Sequence, residues 1–118
     1  MTNNVDHILL VCASCRSGES ADKVPQALKH KLPREFVIRS VNCMAGCERP
    51  TTIGFQARGK AQYLFGDIST DKDLDAIVEF AHQYLRSGDG WTKATDRPRA
   101  LFTKTLSRLP RIELEEAL

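Results

Sequence analysis

The sequence predicts an α/β domain with a mixed sheet, in the order β-α-β-β-β-α, followed by a C-terminal arm. Three observations carry this. A short apolar run, HILLVC at 7–12, and an alternating run, FVIRSV at 36–41, bracket an amphipathic stretch. Two more strand-like runs flank Arg58-Gly59-Lys60. A stripe of apolar residues at helical spacing, Leu74, Ile77, Val78, Ala81, Tyr84 and Leu85, closes the body of the chain.

The first run is short, apolar and branched at its ends, as a buried strand is. After the loop CASCRSGES, Ser20 or Asp22 offers a helix N-cap, and Pro25 is tolerated near a first turn. Ala21, Val24, Leu28 and Leu32 recur every three or four residues, which predicts an amphipathic helix ended by Pro33. In the second strand Phe36, Ile38 and Ser40 alternate with Val37, Arg39 and Val41. TTIGFQARGKAQYLFGDI reads as a hairpin, with Tyr63 and Phe65 expected to straddle core and surface. Asp71 or Ser69 is the expected cap of the second helix, and Gly88 and Gly90 its stop. Beyond Trp91, expected to anchor the arm by packing, LFTKTLSRL lies between Pro98 and Pro110 and fits either a short helix or a strand.

A chain of 118 residues suits one domain with one modest core. Residues 1–90 are expected to form that domain and 91–118 an arm packed on it or extending from it. Hydrophobic residues make up 42% and charged residues 27%, ordinary for a globular protein. No apolar run approaches the roughly 20 residues that cross a bilayer. The start MTNNVDH lacks a basic region followed by a long apolar one, so no signal peptide and no membrane partner are expected. The expected location is the cytoplasm, where thiols stay reduced unless a metal or a reaction claims them.

Net charge is +2, but its distribution is uneven. Residues 1–90 carry 11 basic and 11 acidic residues; residues 91–111 carry six basic residues and one acid; the last seven add Glu113, Glu115 and Glu116. A basic arm can dock an acidic surface, but a solvated extension folded back on its own domain is the simpler reading. Nucleic acid is not an expected partner.

All four cysteines fall in two tight pairs, Cys12/Cys15 and Cys43/Cys47, each directly after a predicted strand. A β-α-β unit makes its strands parallel, so the loops after them leave the same end of the sheet. Adjacent strands are about 4.8 Å apart, so the four sulfurs can converge within about 10 Å if the strands are neighbours or separated by one strand. Four thiolates suit three chemistries. Dithiol redox work at Cys12/Cys15 would use a helix N-terminus to activate a thiol, but RSGES separates Cys15 from the helix and the second pair is left unexplained. Zinc takes a tetrahedral cage of four sulfurs and tolerates the spacing of both pairs. A [2Fe–2S] cluster also takes four thiolates, each pair holding one iron, which suits two pairs on two loops. Ala45 and Gly46 let backbone N–H groups approach sulfur, Ser14 could donate similarly, and Arg16 and Arg49 would offset negative charge.

The β-α-β-β-β-α order, with ligand pairs at the ends of the first two strands, resembles the thioredoxin-like [2Fe–2S] ferredoxins. Their second pair is spaced Cys-x3-Cys, as in Cys43-Met-Ala-Gly-Cys47; their first pair is usually wider than Cys12-Ala-Ser-Cys15. Nearly the whole chain also resembles a bacterial domain-of-unknown-function family described as predicted metal-binding. The matching pieces are Cys-x-x-Cys-Arg, Cys-Met-x-x-Cys-x-Arg-Pro, GKAQYLFGDI, YLRSGDGW and RPRALFTKTLSRLPRI. These resemblances imply a thioredoxin-like fold, Cys12, Cys15, Cys43 and Cys47 as metal and cofactor ligands, and a structured arm. They make a homodimer compatible and suggest a supporting role near cobalamin-pathway genes.

The expected function is that of a small [2Fe–2S] one-electron carrier serving a redox partner protein, not an enzyme in itself, since electron transfer needs no substrate pocket. Zinc in a structural or interaction module is the alternative, and a dithiol oxidoreductase the lesser one. His7, His30 and His82 are scattered and expected at the surface or half-buried, which leaves no pair for a Rieske-type centre. Asp67, Asp71, Asp73 and Asp75 are better explained by the positive end of a helix than by a metal site.

Overall fold

The computed structural model of the chain describes residues 7–12, 20–41 and 51–111. Its elements run β1 (His7–Cys12), α1 (Ser20–Lys29), β2 (Phe36–Val41), β3 (Ile53–Ala57), β4 (Gln62–Phe65), α2 (Asp71–Arg86), two short 3-10 turns and β5 (Thr105–Leu109). The five strands form one mixed sheet in the order β2-β1-β3-β4-β5. β1 pairs parallel with β2 and antiparallel with β3, and the β3/β4 and β4/β5 pairs are antiparallel. The expected β-α-β unit and hairpin are thus present. The arm contributes a fifth strand, and its 3-10 turns cover Ala94–Asp96 and Arg99–Leu101.

Alternation decides what each strand buries. In β1, Leu9 and Val11 enter the core; in β3, Ile53, Phe55 and Ala57; in β4, Tyr63 and Phe65. Tyr63 and Phe65 therefore do not straddle the sheet. They are two positions apart, so they share a face, and both are buried. Both helices pack on this one face: Val24 and Leu28 of α1 and Leu74, Ile77, Phe80 and Tyr84 of α2 join the same cluster. On the opposite face Ile8, Leu10, Val37 and Leu64 are half-buried and Arg39 is exposed.

The core is aromatic at its centre. The Phe80 ring lies 4.9 Å from Phe55, 4.9 Å from Tyr63 and 5.0 Å from Phe65, all tilted edge-to-face. That arrangement directs positive ring edges at negative ring faces.

α1 begins at Ser20, so Asp22 lies inside it and the cap position falls outside the described residues. Pro25 is the sixth helical residue and not part of the first turn. Its missing N–H removes one bond of the helical ladder. The helix ends at Lys29, four residues before Pro33, and the N–H groups of Lys31 and Leu32 both return to Leu28 O.

The cap of α2 is Thr70, between the two expected residues. Its hydroxyl accepts from Asp73 N at 3.1 Å, and Asp73 Oδ2 accepts from the N–H groups of Thr70 at 3.1 Å and Ser69 at 3.0 Å. This reciprocal box selects Thr70 among three competent neighbours because only Thr70 has an acid three positions on. Lys104 Nζ, from the arm, reaches Asp73 Oδ1 at 2.9 Å and Asp67 O at 2.6 Å.

Burial pushes the Asp73 carboxyl up, but the Ser69 N–H, the Lys104 ammonium and the Thr70 N–H outweigh it and hold the group below the usual carboxylate range. A carboxyl depressed in the folded state contributes stability that is complete above its unfolded value near 4 and is lost as pH falls through the folded value. Denaturant melts at stepped pH should show stability declining from about pH 5 toward pH 2. In Asp73→Asn that decline should be shallower, with about 1–2 kcal/mol already missing at neutral pH. A variant as acid-sensitive as the parent contradicts this assignment.

The arm is tied down by cations over rings. Arg97 is buried and donates to Thr92 Oγ1, Thr92 O and Thr105 Oγ1, with its guanidinium 5.2 Å from the Tyr63 ring centre. Arg108 lies 3.5 Å above Trp91 and donates to Thr92 O at 3.0 Å. Trp91, 46% exposed, thus stacks under a guanidinium of the arm itself, and the arm is held to the body by Arg97 over Tyr63 and by the β4/β5 pairing. Among the described residues no helix is long and apolar enough to cross a membrane.

Candidate metal centre

Of the four candidate ligands, Cys12 lies within the described residues and Cys15, Cys43 and Cys47 lie outside them, as do Ser14, Arg16, Ala45, Gly46 and Arg49. Cys12 is the last residue of β1, at the carboxyl end of the strand that lies between β2 and β3. Its register partner on β2 is Val41, where the described chain stops before Cys43. On its other side Cys12 N donates to Thr52 O at 3.0 Å, one residue after the chain resumes at Thr51. β1 and β2 are therefore neighbours, the closer of the two arrangements that allow the pairs to converge. The end of β2 and the start of β3 also flank Cys12 from opposite sides.

The surroundings of Cys12 are dry. Cys12 is 2% exposed, and Thr51 and Thr52 are 1% exposed. Thr51 O accepts from Ile68 N, but Thr51 Oγ1 is buried with no hydrogen-bond partner among the described residues. A buried hydroxyl without a partner costs about 1–3 kcal/mol, so a local acceptor for its proton would be favourable. A Cys12 buried at a strand end fits a sulfur ligand held in a fixed place in a metal centre. It fits less well a redox thiol, which must be partly exposed to attack its substrate.

The groups set aside from the sequence stay apart. His7 stands at the far end of β1, about 16 Å of strand from Cys12, and His30 and His82 are exposed. Among the described residues no three His, Cys, Asp or Glu side chains gather as metal ligands would. Asp73 is committed to its cap, Asp71 is exposed, and Asp75 faces Lys31 at 3.8 Å.

Two polar clusters were not visible in the sequence. Lys60 Nζ lies 2.9 Å from His7 Nε2 and donates to the last carbonyls of α2, Tyr84 O at 2.7 Å and Leu85 O at 3.3 Å. Burial pulls its ammonium below the usual lysine value, against the opposing charge of Asp89. The Tyr63 hydroxyl donates to Gly90 O at 2.8 Å and accepts from Thr92 N at 2.9 Å. Both clusters sit at the end of the sheet away from Cys12. They fasten α2 and the arm to the hairpin, so they read as structural.

A family model described as "Protein of unknown function (DUF1636)" matches residues 9–111, which span β1 to the end of the arm strand. No curated protein and no solved structure matches the chain.

Proposed function

The chain belongs to the DUF1636 family, and on that premise we propose that it is a small thioredoxin-like iron–sulfur protein that carries single electrons to and from a redox partner protein. The observation that carries this reading is the placement of Cys12 between the end of β2 and the start of β3. Cys43 follows Val41 by two residues, a reach of at most about 7 Å. With strands about 4.8 Å apart, its Cα can lie no more than about 12 Å from that of Cys12. The segment 42–50, which carries Cys43 and Cys47, starts and finishes on the two strands beside Cys12. Cys15 is three residues from Cys12. Two pairs on two separate connections would suit a two-iron centre, one pair to each iron.

In this reading Cys12, Cys15, Cys43 and Cys47 are the ligands. The bound [2Fe–2S] cluster would supply the one-electron couple. Cys12 would present its sulfur from a rigid strand end, and the buried Thr51 and Thr52 would keep water from the inner side. The thioredoxin-like arrangement is supported by the sequential order β-α-β-β-β-α up to α2, with β1 and β2 parallel and β3 and β4 antiparallel.

Single Cys→Ser variants test the ligand set. Each of the four should lose the visible absorption of protein purified without oxygen, while far-ultraviolet circular dichroism stays near that of the parent. If only Cys12→Ser and Cys15→Ser had an effect, a dithiol oxidoreductase would replace this reading.

A further inference from the structure

We infer that the free edge of β2, with the cleft beside it, receives residues 112–115 of a second copy of this chain. This does not depend on the metal reading.

Among the described residues β2 is the terminal strand of the sheet on one side. Its six residues pair with β1 in unbroken register, so its outer edge is straight, and it contains no proline. Such an edge presents unpaired N–H and C=O groups and is a template for another strand unless it is blunted. The opposite edge is treated differently: the β4/β5 pairing has an irregularity at Leu64/Phe65, and Pro110 follows β5 directly.

A cleft of about 440 Å³ opens between β2, α1 and the turn that joins them. Its floor is apolar, with Leu32, Pro33, Phe36 and Ile38. Its rim is basic, with Lys29 and Arg34, both exposed and with no acid partner among the described residues. A strand added to an edge gains affinity from main-chain bonds and specificity from pockets for alternate side chains. The matching ligand is an extended segment with apolar residues alternating with acids.

The chain contains one. Residues 112–115 read Ile-Glu-Leu-Glu, with Glu116 next, after twenty-one residues that carry six basic side chains and one acid. This segment lies outside the described residues. In an extended conformation Ile112 and Leu114 would fall on one face and Glu113 and Glu115 on the other. The apolar pair suits the floor and the acids suit Lys29 and Arg34.

Within one molecule the match cannot be made. β5 and β2 are at opposite edges, so a strand outside β2 lies five spacings from β5, about 24 Å. From Leu109 to Ile112 the chain spans at most about 10 Å. The segment must come from a second copy, and two copies can exchange it symmetrically about a two-fold axis, which closes the assembly as a dimer.

Sedimentation of the full chain across a concentration series tests this, beside the full-length variants Ile112→Asp/Leu114→Asp and Lys29→Glu/Arg34→Glu. The parent should be a dimer and the tail variant a monomer, with circular dichroism unchanged in both. A synthetic peptide of residues 110–118 should bind the tail variant, and the charge reversal, made in that background, should weaken peptide binding roughly tenfold. A parent that remains monomeric at about 100 μM overturns the inference even if the peptide binds, because the occupant would then be another acidic peptide. A dimer that survives the tail substitutions, or a peptide with no affinity for the tail variant, also overturns it.

Discussion

Phe80→Ala is expected to lower the free energy of unfolding by about 3–5 kcal/mol, a large part of the roughly 5–15 kcal/mol a domain of this size has in total. Phe80 is fully buried, and its ring is the contact point of Phe55, Tyr63 and Phe65. Truncation deletes the transfer free energy of the ring and three edge-to-face contacts. It also leaves a cavity walled by other rings and by sheet backbone, which collapse poorly. Phe102, 51% exposed, is the control: Phe102→Ala should stay within about 0.5 kcal/mol of the parent. Urea unfolding monitored by circular dichroism measures both. Equal effects at the two positions would mean that the aromatic cluster is not the centre of the core.

The second large effect concerns one glycine. Gly90→Ala is expected to cost about 3 kcal/mol or more, from two causes that add. The residue has φ of 76°, a left-handed conformation that costs a side-chain-bearing residue about 1–2 kcal/mol. A Cβ there would also stand 2.8 Å from Ala61 N, 2.9 Å from Lys60 Cβ and 3.0 Å from Tyr84 Cε1. Ala61 N is backbone, held to Asp89 O at 2.8 Å, so it cannot move aside cheaply. Gly90 O also accepts from the Tyr63 hydroxyl, so a displaced Gly90 loosens the arm as well. Gly59 separates the two causes: its φ is 72°, but nothing lies within 4 Å of a Cβ there. Gly59→Ala should cost only the conformational part, about 1–2 kcal/mol. If the two glycines proved equally tolerant, close packing of the α2 exit against the hairpin would not be the reason for Gly90.

These positions also show what the sequence could and could not disclose. β1, β2, the hairpin and α2 were legible because each carries a complete local signal: alternation, a turn at Arg58-Gly59-Lys60, or a helical stripe. β5 was not, because TLSRL has no clean period. It is held as a strand by β4 and by Arg97 and Arg108 reaching Tyr63, Thr92 and Trp91. The cap of α2 depended on choosing among Ser69, Thr70 and Asp71, and the choice is made by Asp73 three residues later. The Lys60 cluster joins a hairpin turn, a strand start and a helix end, so no local pattern could announce it. At the candidate centre, the β-α-β pattern gave the parallel β1/β2 pair and hence the position of Cys12 beside the end of β2. The burial of Thr51, with no hydroxyl partner among the described residues, required the fold, since burial of a threonine after a loop has no sequence signature.

The most direct test of the account is a count of iron, acid-labile sulfide and zinc per chain in protein purified without oxygen, taken with its visible spectrum. A red-brown sample with about two irons and two sulfides per chain and no stoichiometric zinc is the expected result. A colourless protein with one zinc per chain, or one with neither metal nor sulfide, would contradict it.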